Sequence, residues 1–250
     1  MQLDLVTTAF PDPPALDTAI SRVILDQVAA GKRNATFRLH RPPEIVAFGR
    51  HDVIQPGYGK AVSAARHHGF EAIERLAGGR AAVFHHQTLA FSWASPEPEP
   101  LSRISERFTD TTSVLLDAFR ELGLDARVGE VSGEYCPGRF SINIGGRSKV
   151  AGVGQRLVRG AAHVGGVIVC AGHQRINQVL EPVYDALDLS FDPSATGSIA
   201  EFVPVDVEAV ARSVITALGI RHDIRPVELD ESTRRAGLLL MHEHLAQPTA

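Results

Sequence analysis

The chain has 250 residues, 44% of them hydrophobic, a net charge of −4 at pH 7 and two cysteines. That composition supports one large domain or two small ones and excludes general disorder. The mild acidity gives no basis for a nucleic-acid partner, and two cysteines exclude a disulfide-built scaffold.

MQLDLVTTAFPDPP lacks a basic segment ahead of a long apolar run, so no secretory signal is expected. No run of about 18 apolar residues follows anywhere, which leaves no expectation of a transmembrane helix. Gln2 to Val6 reads as an edge strand. Pro14 fits the first turn of a helix to about Ala30, with Leu16, Ile20, Val23, Ile24 and Val28 on one face. Thr36 to Leu39 and Ile45 to Phe48 read as strands, Tyr58 to His68 as a short helix and Glu71 to Leu76 as a strand. Ala81 to Phe84 and Leu89 to Trp93 read as a hairpin. The segment Ser95 to Pro100 reads as a solvated proline-acid connector. A helix is expected from about Ser102 to Leu122, buried through Ile104, Phe108, Val114, Leu115 and Phe119, then a strand from Ala126 to Val128. Beyond Cys170 the pattern turns helical, with short helices at Gln174 to Leu180 and Val183 to Leu187. Ser198 offers a cap. Val207 to Leu218 is amphipathic, capped by Asp206 and stopped by Gly219, and a last helix spans about Asp230 to Leu245. The interleaved helices and frequent hairpins predict an α+β fold with a mixed, largely antiparallel sheet flanked by helices.

Chemistry concentrates between Val131 and Cys170. Cys136 precedes Pro137-Gly138, so its backbone is turning or extended rather than helical. Phe140 to Ile144 reads as a strand, Gly145-Gly146 as a hairpin turn and Lys149 as the start of the returning strand. Such a hairpin brings Lys149 back beside Cys136, and an ammonium near a thiol favours the reactive thiolate. Glycines on the returning strand leave room for a ligand. Cys170 ends an apolar strand and reads as core.

The run GGRSKVAGVGQRLVRGAAHVGG resembles the lysine motif of the lipoate-protein ligase and octanoyltransferase superfamily. ERLAGGRAAVFH resembles its Arg-x-x-Gly-Gly motif. Tyr135-Cys136-Pro137-Gly138 is similar to the cysteine motif of its amidotransferase branch, the octanoyl-[glycine cleavage H protein]:protein N-octanoyltransferases. The resemblance covers roughly residues 30 to 175. It implies a biotin/lipoate-protein-ligase-like catalytic domain spanning residues 1–250, with a helical C-terminal extension over about 173–250. It implies Cys136 and Lys149 as catalytic residues, and Arg75, Gly78, Gly79, Gly152 and His163 as substrate-binding residues. The implied reaction moves an octanoyl or lipoyl group through a Cys136 thioester to a lipoyl-domain lysine, in lipoate assembly or salvage, with no cofactor. Lys149 is expected to lower the thiol pKa and to hold the acyl carbonyl.

The implied donors are octanoyl- or lipoyl-carrying proteins, either glycine cleavage H protein or acyl carrier protein. The implied acceptors are lipoyl domains of 2-oxoacid dehydrogenases, in the cytoplasm, with no nucleic acid and no membrane. Two alternatives stand beside this: an ATP-dependent lipoate-protein ligase and a non-catalytic lipoyl- or biotin-binding homologue. Arg80, where the ligase branch has a further glycine, weighs against the first. No metal is expected. His85 and His86 read as strand neighbours that point apart, and His242-Glu243-His244 lacks the spacing of a zinc helix. No phosphate loop of the Gly-x4-Gly-Lys-Ser/Thr type and no Gly-x-Ser-x-Gly elbow occurs.

Overall fold

Eleven strands build two sheets in the computed structural model, which describes residues 2–247. In chain order they are β1 Gln2–Val6, β2 Thr36–His40, β3 Ile45–Phe48, β4 Glu71–Glu74, β5 Ala82–Phe84, β6 Thr88–Glu97, β7 Ala126–Val128, β8 Ile142–Ile144, β9 Ser148–Val158, β10 Gly160–Val169 and β11 Asp223–Pro226. The main sheet has the order β11-β1-β2-β6-β10-β9-β8-β7, and the small one β4-β3-β5. Pairing is parallel between β11 and β1, β1 and β2, and β3 and β4. Every other pair of neighbouring strands is antiparallel. The mixed, largely antiparallel sheet flanked by helices is therefore as expected.

Among the described residues, seven α-helices cover the sheets: α1 Leu16–Ala29, α2 Arg50–Val53, α3 Tyr58–His67, α4 Ile104–Glu121, α5 His173–Ala186, α6 Val207–Arg221 and α7 Glu231–Leu240. Strand alternation sends Trp93 into a core with α4 and α6, and its neighbour Ala94 into a core with α1 on the other face. A third core joins the small sheet to α3 and α5. Full burial of a residue such as Val210 or Val214 contributes about 1.5–3 kcal/mol. No helix among the described residues is long and apolar enough to cross a membrane.

Several expectations change. β1 is not an edge strand, because β11 pairs beside it. β11 carries one aliphatic residue in Asp-Ile-Arg-Pro and lies mostly exposed, so it leaves no alternation to read. β5 and β6 do not form a hairpin. β5 pairs with β3 in the small sheet, while β6 joins β2 and β10 in the main one. The acidic connector begins as sheet: Ser95, Pro96 and Glu97 pair with β10, and Glu97 is buried against Arg107. Ile104 is exposed rather than buried. The two short helices after Cys170 are one, α5, with Pro182 inside it. Proline removes one helical hydrogen bond, yet Val179, Leu180, Val183 and Tyr184 bury a continuous face across it. Asp206 caps α6 as expected, its carboxylate accepting from Ala209 N–H at 2.7 Å, but the helix passes Gly219 to Arg221. The segment read as an extension is built in. α5 belongs to the small-sheet core, α6 to the main core, and β11 to the main sheet.

Candidate active site

The loop from Val131 to Ser141 wraps around one buried carboxylate. Glu134 accepts the Val131 N–H (2.9 Å) on Oε2, and on Oε1 the Gly138 N–H (3.0 Å), the Ser141 hydroxyl (2.6 Å) and Lys149 Nζ (2.9 Å). A carboxylate 4% exposed is tolerated only with such partners. Lys149 is brought back beside Cys136 by the β8–β9 hairpin, as expected. Its ammonium, however, is aimed at backbone. Nζ donates to Glu134, to the Tyr135 carbonyl (2.8 Å) and to the Cys136 carbonyl (2.9 Å). An ammonium has three donors, and all three are committed. Lys149 thus clamps the cysteine loop through these three bonds.

Cys136 is half-buried with φ at 43°, a left-handed conformation that costs a non-glycine residue about 1–3 kcal/mol. Its N–H donates to Tyr184 Oη at 2.8 Å, and that hydroxyl donates to the Ala81 carbonyl at 3.1 Å. Tyr184 therefore ties the strained residue to the start of β5. Cys136 Sγ accepts the Arg80 N–H at 3.2 Å and Arg75 Nη2 at 3.5 Å. Burial pushes this thiol up. The Arg75 guanidinium, then Lys149, then the Arg80 N–H outweigh it, and the thiol stands below its ordinary value. The cation that hydrogen-bonds the sulfur is Arg75, while Lys149 also lowers the thiol pKa, as expected, and does so less than Arg75.

Gly78 and Gly79 shape this contact. The Gly78 carbonyl accepts from Arg75 Nη2. Gly79 has φ at 113°, and a Cβ there would lie 1.7 Å from Arg75 Nη2 and 2.9 Å from Cys136 Sγ. The Arg80 side chain turns away, to Asp52 Oδ1 (3.2 Å) and the His51 carbonyl (3.2 Å). Its bulk does not fill the glycine loop, which removes the steric argument against a nucleotide there.

Sγ opens on a cavity of about 420 Å³, within the range of small-molecule sites. Cys136, Lys149, Arg75, Gly78, Gly79 and Gly152 all line it. His163 does not. It lies in a smaller adjoining cavity of about 90 Å³ with Asp17 and His40, and Arg75, Phe84, Gly165 and Gly166 line both. Burial first, then the nearby arginines, pull the His163 pKa down to about 4, so its imidazole is neutral near pH 7 and unsuited to supply a charge. Cys170 is buried and its thiol is pushed far up by burial, in keeping with a core role.

Residues 13–219 match the family model of the lipoyl protein ligase A/B catalytic domain. The chain belongs to that family. Among the relatives of this lipoyl ligase-type domain is an octanoyl-[GcvH]:protein N-octanoyltransferase of Geobacillus kaustophilus, 31% identical over 146 residues, which cover 58% of this chain and 51% of that one. A protein of the same name from Oceanobacillus iheyensis is 24% identical over 220 residues, 83% of this chain and 78% of that one. A lipoyl-[GcvH]:protein N-lipoyltransferase of Listeria monocytogenes is 26% identical over 154 residues, 60% and 55% of the two chains. The chain spans about half the length of the first of these relatives. Among solved structures, lipoate-protein ligase A bound with ATP superposes with a TM-score of 0.78 at 19% identity, over 97% of this chain and 95% of that one. A bi-partite lipoate protein ligase from Thermoplasma acidophilum gives 0.75 at 17%, over 97% and 93%. At these identities the likeness is one of fold, and it agrees with the fold expected.

Three residues of this lipoyl ligase-type site escape a reading of the sequence. Glu134 stands just ahead of the cysteine motif but shows its role only once the loop closes. Tyr184 arrives from α5, and Asp52, which holds the Arg80 side chain and the Gly49 N–H (2.9 Å), from the single turn of α2. Burial, the largest influence on Asp52, raises its pKa against those bonds. A carboxylate three residues after Gly49 was the one local signal for that turn.

Proposed function

We propose that the chain is an acyltransferase that moves an octanoyl or lipoyl group, by way of a thioester on Cys136, from one carrier protein to a lysine of another. The observation that carries this reading is the Cys136 sulfur, held at the wall of an acyl-sized cavity by the Arg80 N–H and the Arg75 guanidinium. The names of its relatives support the acyl groups and point to glycine cleavage H protein as donor. Acyl carrier protein is the other donor to be compared, and lipoyl domains of 2-oxoacid dehydrogenases are the acceptors. A reduced Cys136 suits the cytoplasm.

Phe84, Ile104, Phe108, Val153, Leu157 and Val167 give the cavity apolar walls. An octanoyl chain offers about seven methylene-sized units at ~0.8 kcal/mol each, enough to anchor it there. With H protein as donor, the Cys136 thiolate attacks the carbonyl carbon of its acyl-lysine amide. The C–S bond forms, the C–N bond breaks, and the donor lysine leaves as the amine, taking up a proton. The acceptor lysine amine then attacks the thioester, loses a proton as the new amide forms, and releases the thiolate. Negative charge passes from sulfur to oxygen and back. Arg75, with five donors on a rigid fork, is placed to follow it. Lys149 and Glu134 fix the loop, Gly78 and Gly79 admit the substrate beside the sulfur, and Gly152 leaves the opposite wall open. His163 closes the adjoining cavity as a neutral wall. One amide is exchanged for another, so no ATP is consumed.

The test incubates purified protein with octanoyl-loaded H protein and an unmodified lipoyl domain, without nucleotide. Transfer is expected. Strict dependence on ATP and magnesium with free octanoate would overturn the reading in favour of a ligase.

A further inference from the structure

His85 and His86 do not sit on a strand. They follow the end of β5, in the turn to β6, so strand alternation does not drive their side chains apart. Their rings stand edge to face with centroids 5.7 Å apart. The pairing of Ile45 with Phe84 brings Glu44, just ahead of β3, to the same corner. Glu44 Oε1 lies 2.7 Å from His86 Nδ1. One donor atom from each of Glu44, His85 and His86 falls within 4.8 Å of the others, the one such group of three among the described residues.

A second observation, two buried polar atoms without hydrogen bonds, points to a ligand at this corner. His85 is 0% exposed, and its Nε2 has no hydrogen-bond partner. Its Nδ1 takes only a long N–H contact from Gln87, at 3.3 Å. Glu44 Oε2 is also buried without a hydrogen bond, its nearest cation being Arg175 at 3.6 Å. Buried polar atoms without partners are uncommon and costly, and they mark places where an ion or water belongs.

We propose that Glu44, His85 and His86 bind a divalent first-row transition-metal ion of the zinc type. Two imidazoles and one carboxylate are a known zinc donor set, with a fourth position left for water, and they disfavour magnesium or calcium, which take oxygen ligands. Metal–nitrogen and metal–oxygen bonds of about 2.0–2.2 Å place tetrahedral ligand atoms roughly 3.4 Å apart. The present spread closes by movement of His86 and Glu44, whose side chains are 61% and 30% exposed. His85 is fixed by burial and supplies the anchor. Ligation through its Nε2 moves the ring proton to Nδ1 and gives up the long Gln87 contact. Arg175 opposes the ion and swings off Glu44 as it enters. The bound ion clips the start of β3 to the β5–β6 turn. Those strand ends lie away from Cys136, since β3 leads to Gly49 and β5 starts just after Arg80. The site is therefore a structural clip, independent of the acyl chemistry.

The test uses untagged, metal-free protein in a Cys136→Ser background, so that the thiolate contributes nothing. Zinc is titrated against a chromogenic chelator, and cobalt is followed by its visible absorption. One equivalent is expected to bind with the spectrum of a four-coordinate nitrogen/oxygen site. His86→Ala, at an exposed side chain, and Glu44→Gln, at a half-buried one, are expected to weaken binding at least about tenfold each. Arg175→Gln, which removes the opposing charge, is expected to tighten it. Absence of one-equivalent binding, or binding unchanged in both His86→Ala and Glu44→Gln, overturns the proposal.

Discussion

Replacing Arg75 by methionine keeps most of the side-chain stem and removes the positive charge 3.5 Å from Cys136 Sγ. At that distance a unit charge pair is worth about 1 kcal/mol in bulk water and about 5 kcal/mol at an effective dielectric constant of 20. Both side chains are only half-buried, so solvent screening favours the lower part of that range, about 1–3 kcal/mol. Each 1.4 kcal/mol is a factor of ten in the thiolate population. The sign follows from the direction of the shift. Arg75 favours the charged sulfur and lowers the thiol pKa. Its loss therefore moves the alkylation profile to higher pH. At a pH below the thiol pKa, iodoacetamide labelling of Cys136 should slow by roughly five- to a hundredfold, and the rate should recover as pH rises. The assay is the rate of labelling against pH, with peptide mapping to separate Cys136 from buried Cys170. Lys149→Met should move the profile less, because its ammonium faces carbonyl oxygens and is neutralised by Glu134. Superimposed profiles for wild type and Arg75→Met would refute the assignment of Arg75 as the activating charge.

Lys149→Met leaves the Glu134 carboxylate buried and unpaired, and urea denaturation should show a loss of about 3–5 kcal/mol, partly restored by adding Glu134→Gln. A loss below about 1 kcal/mol would mean that the pair does not clamp the loop. Tyr184→Phe strands the Cys136 N–H and the Ala81 carbonyl, costing about 1–3 kcal/mol. Its circular dichroism should match wild type while Cys136 labelling slows, and an unchanged labelling rate would sink the positioning role. Gly79→Ala puts a methyl group where Arg75 Nη2 now lies and strains a residue at φ 113°. It should cost both stability and labelling rate, whereas loss of acyl binding alone would show that Arg75 accommodates the methyl group.

The return of Lys149 to the cysteine was legible because Gly145-Gly146 between two short apolar runs specifies a hairpin. What the ammonium does there was not, because a sequence gives its reach and not its acceptors. Both carbonyls and Glu134 take up their positions only when the Val131 to Ser141 loop closes. The family motif placed Arg75, Gly78, Gly79 and Gly152 in the site, and the cavity gathers all four. His163 went to the neighbouring cavity because β10 carries it past Gly165, which lines both. Tyr184 was hidden by Pro182, which reads as a helix break, although apolar burial on both sides carries α5 through it. β5 and β6 looked like a hairpin because they are close in sequence and alternate well. Nothing local reveals that a chain leaves one sheet for another across the three residues His85 to Gln87. The same turn brings His85 and His86 together, where a continuous strand would have separated them.

The proposed reaction runs through a covalent acyl group on Cys136. Intact-mass spectrometry after brief incubation with octanoyl-loaded H protein, without ATP and without acceptor, tests it directly. One octanoyl adduct is expected that maps to Cys136, is released by hydroxylamine as a thioester, is discharged when a lipoyl domain is added, and is absent in Cys136→Ser. Transfer to the lipoyl domain by Cys136→Ser at the wild-type rate, or an adduct mapping elsewhere, would contradict it.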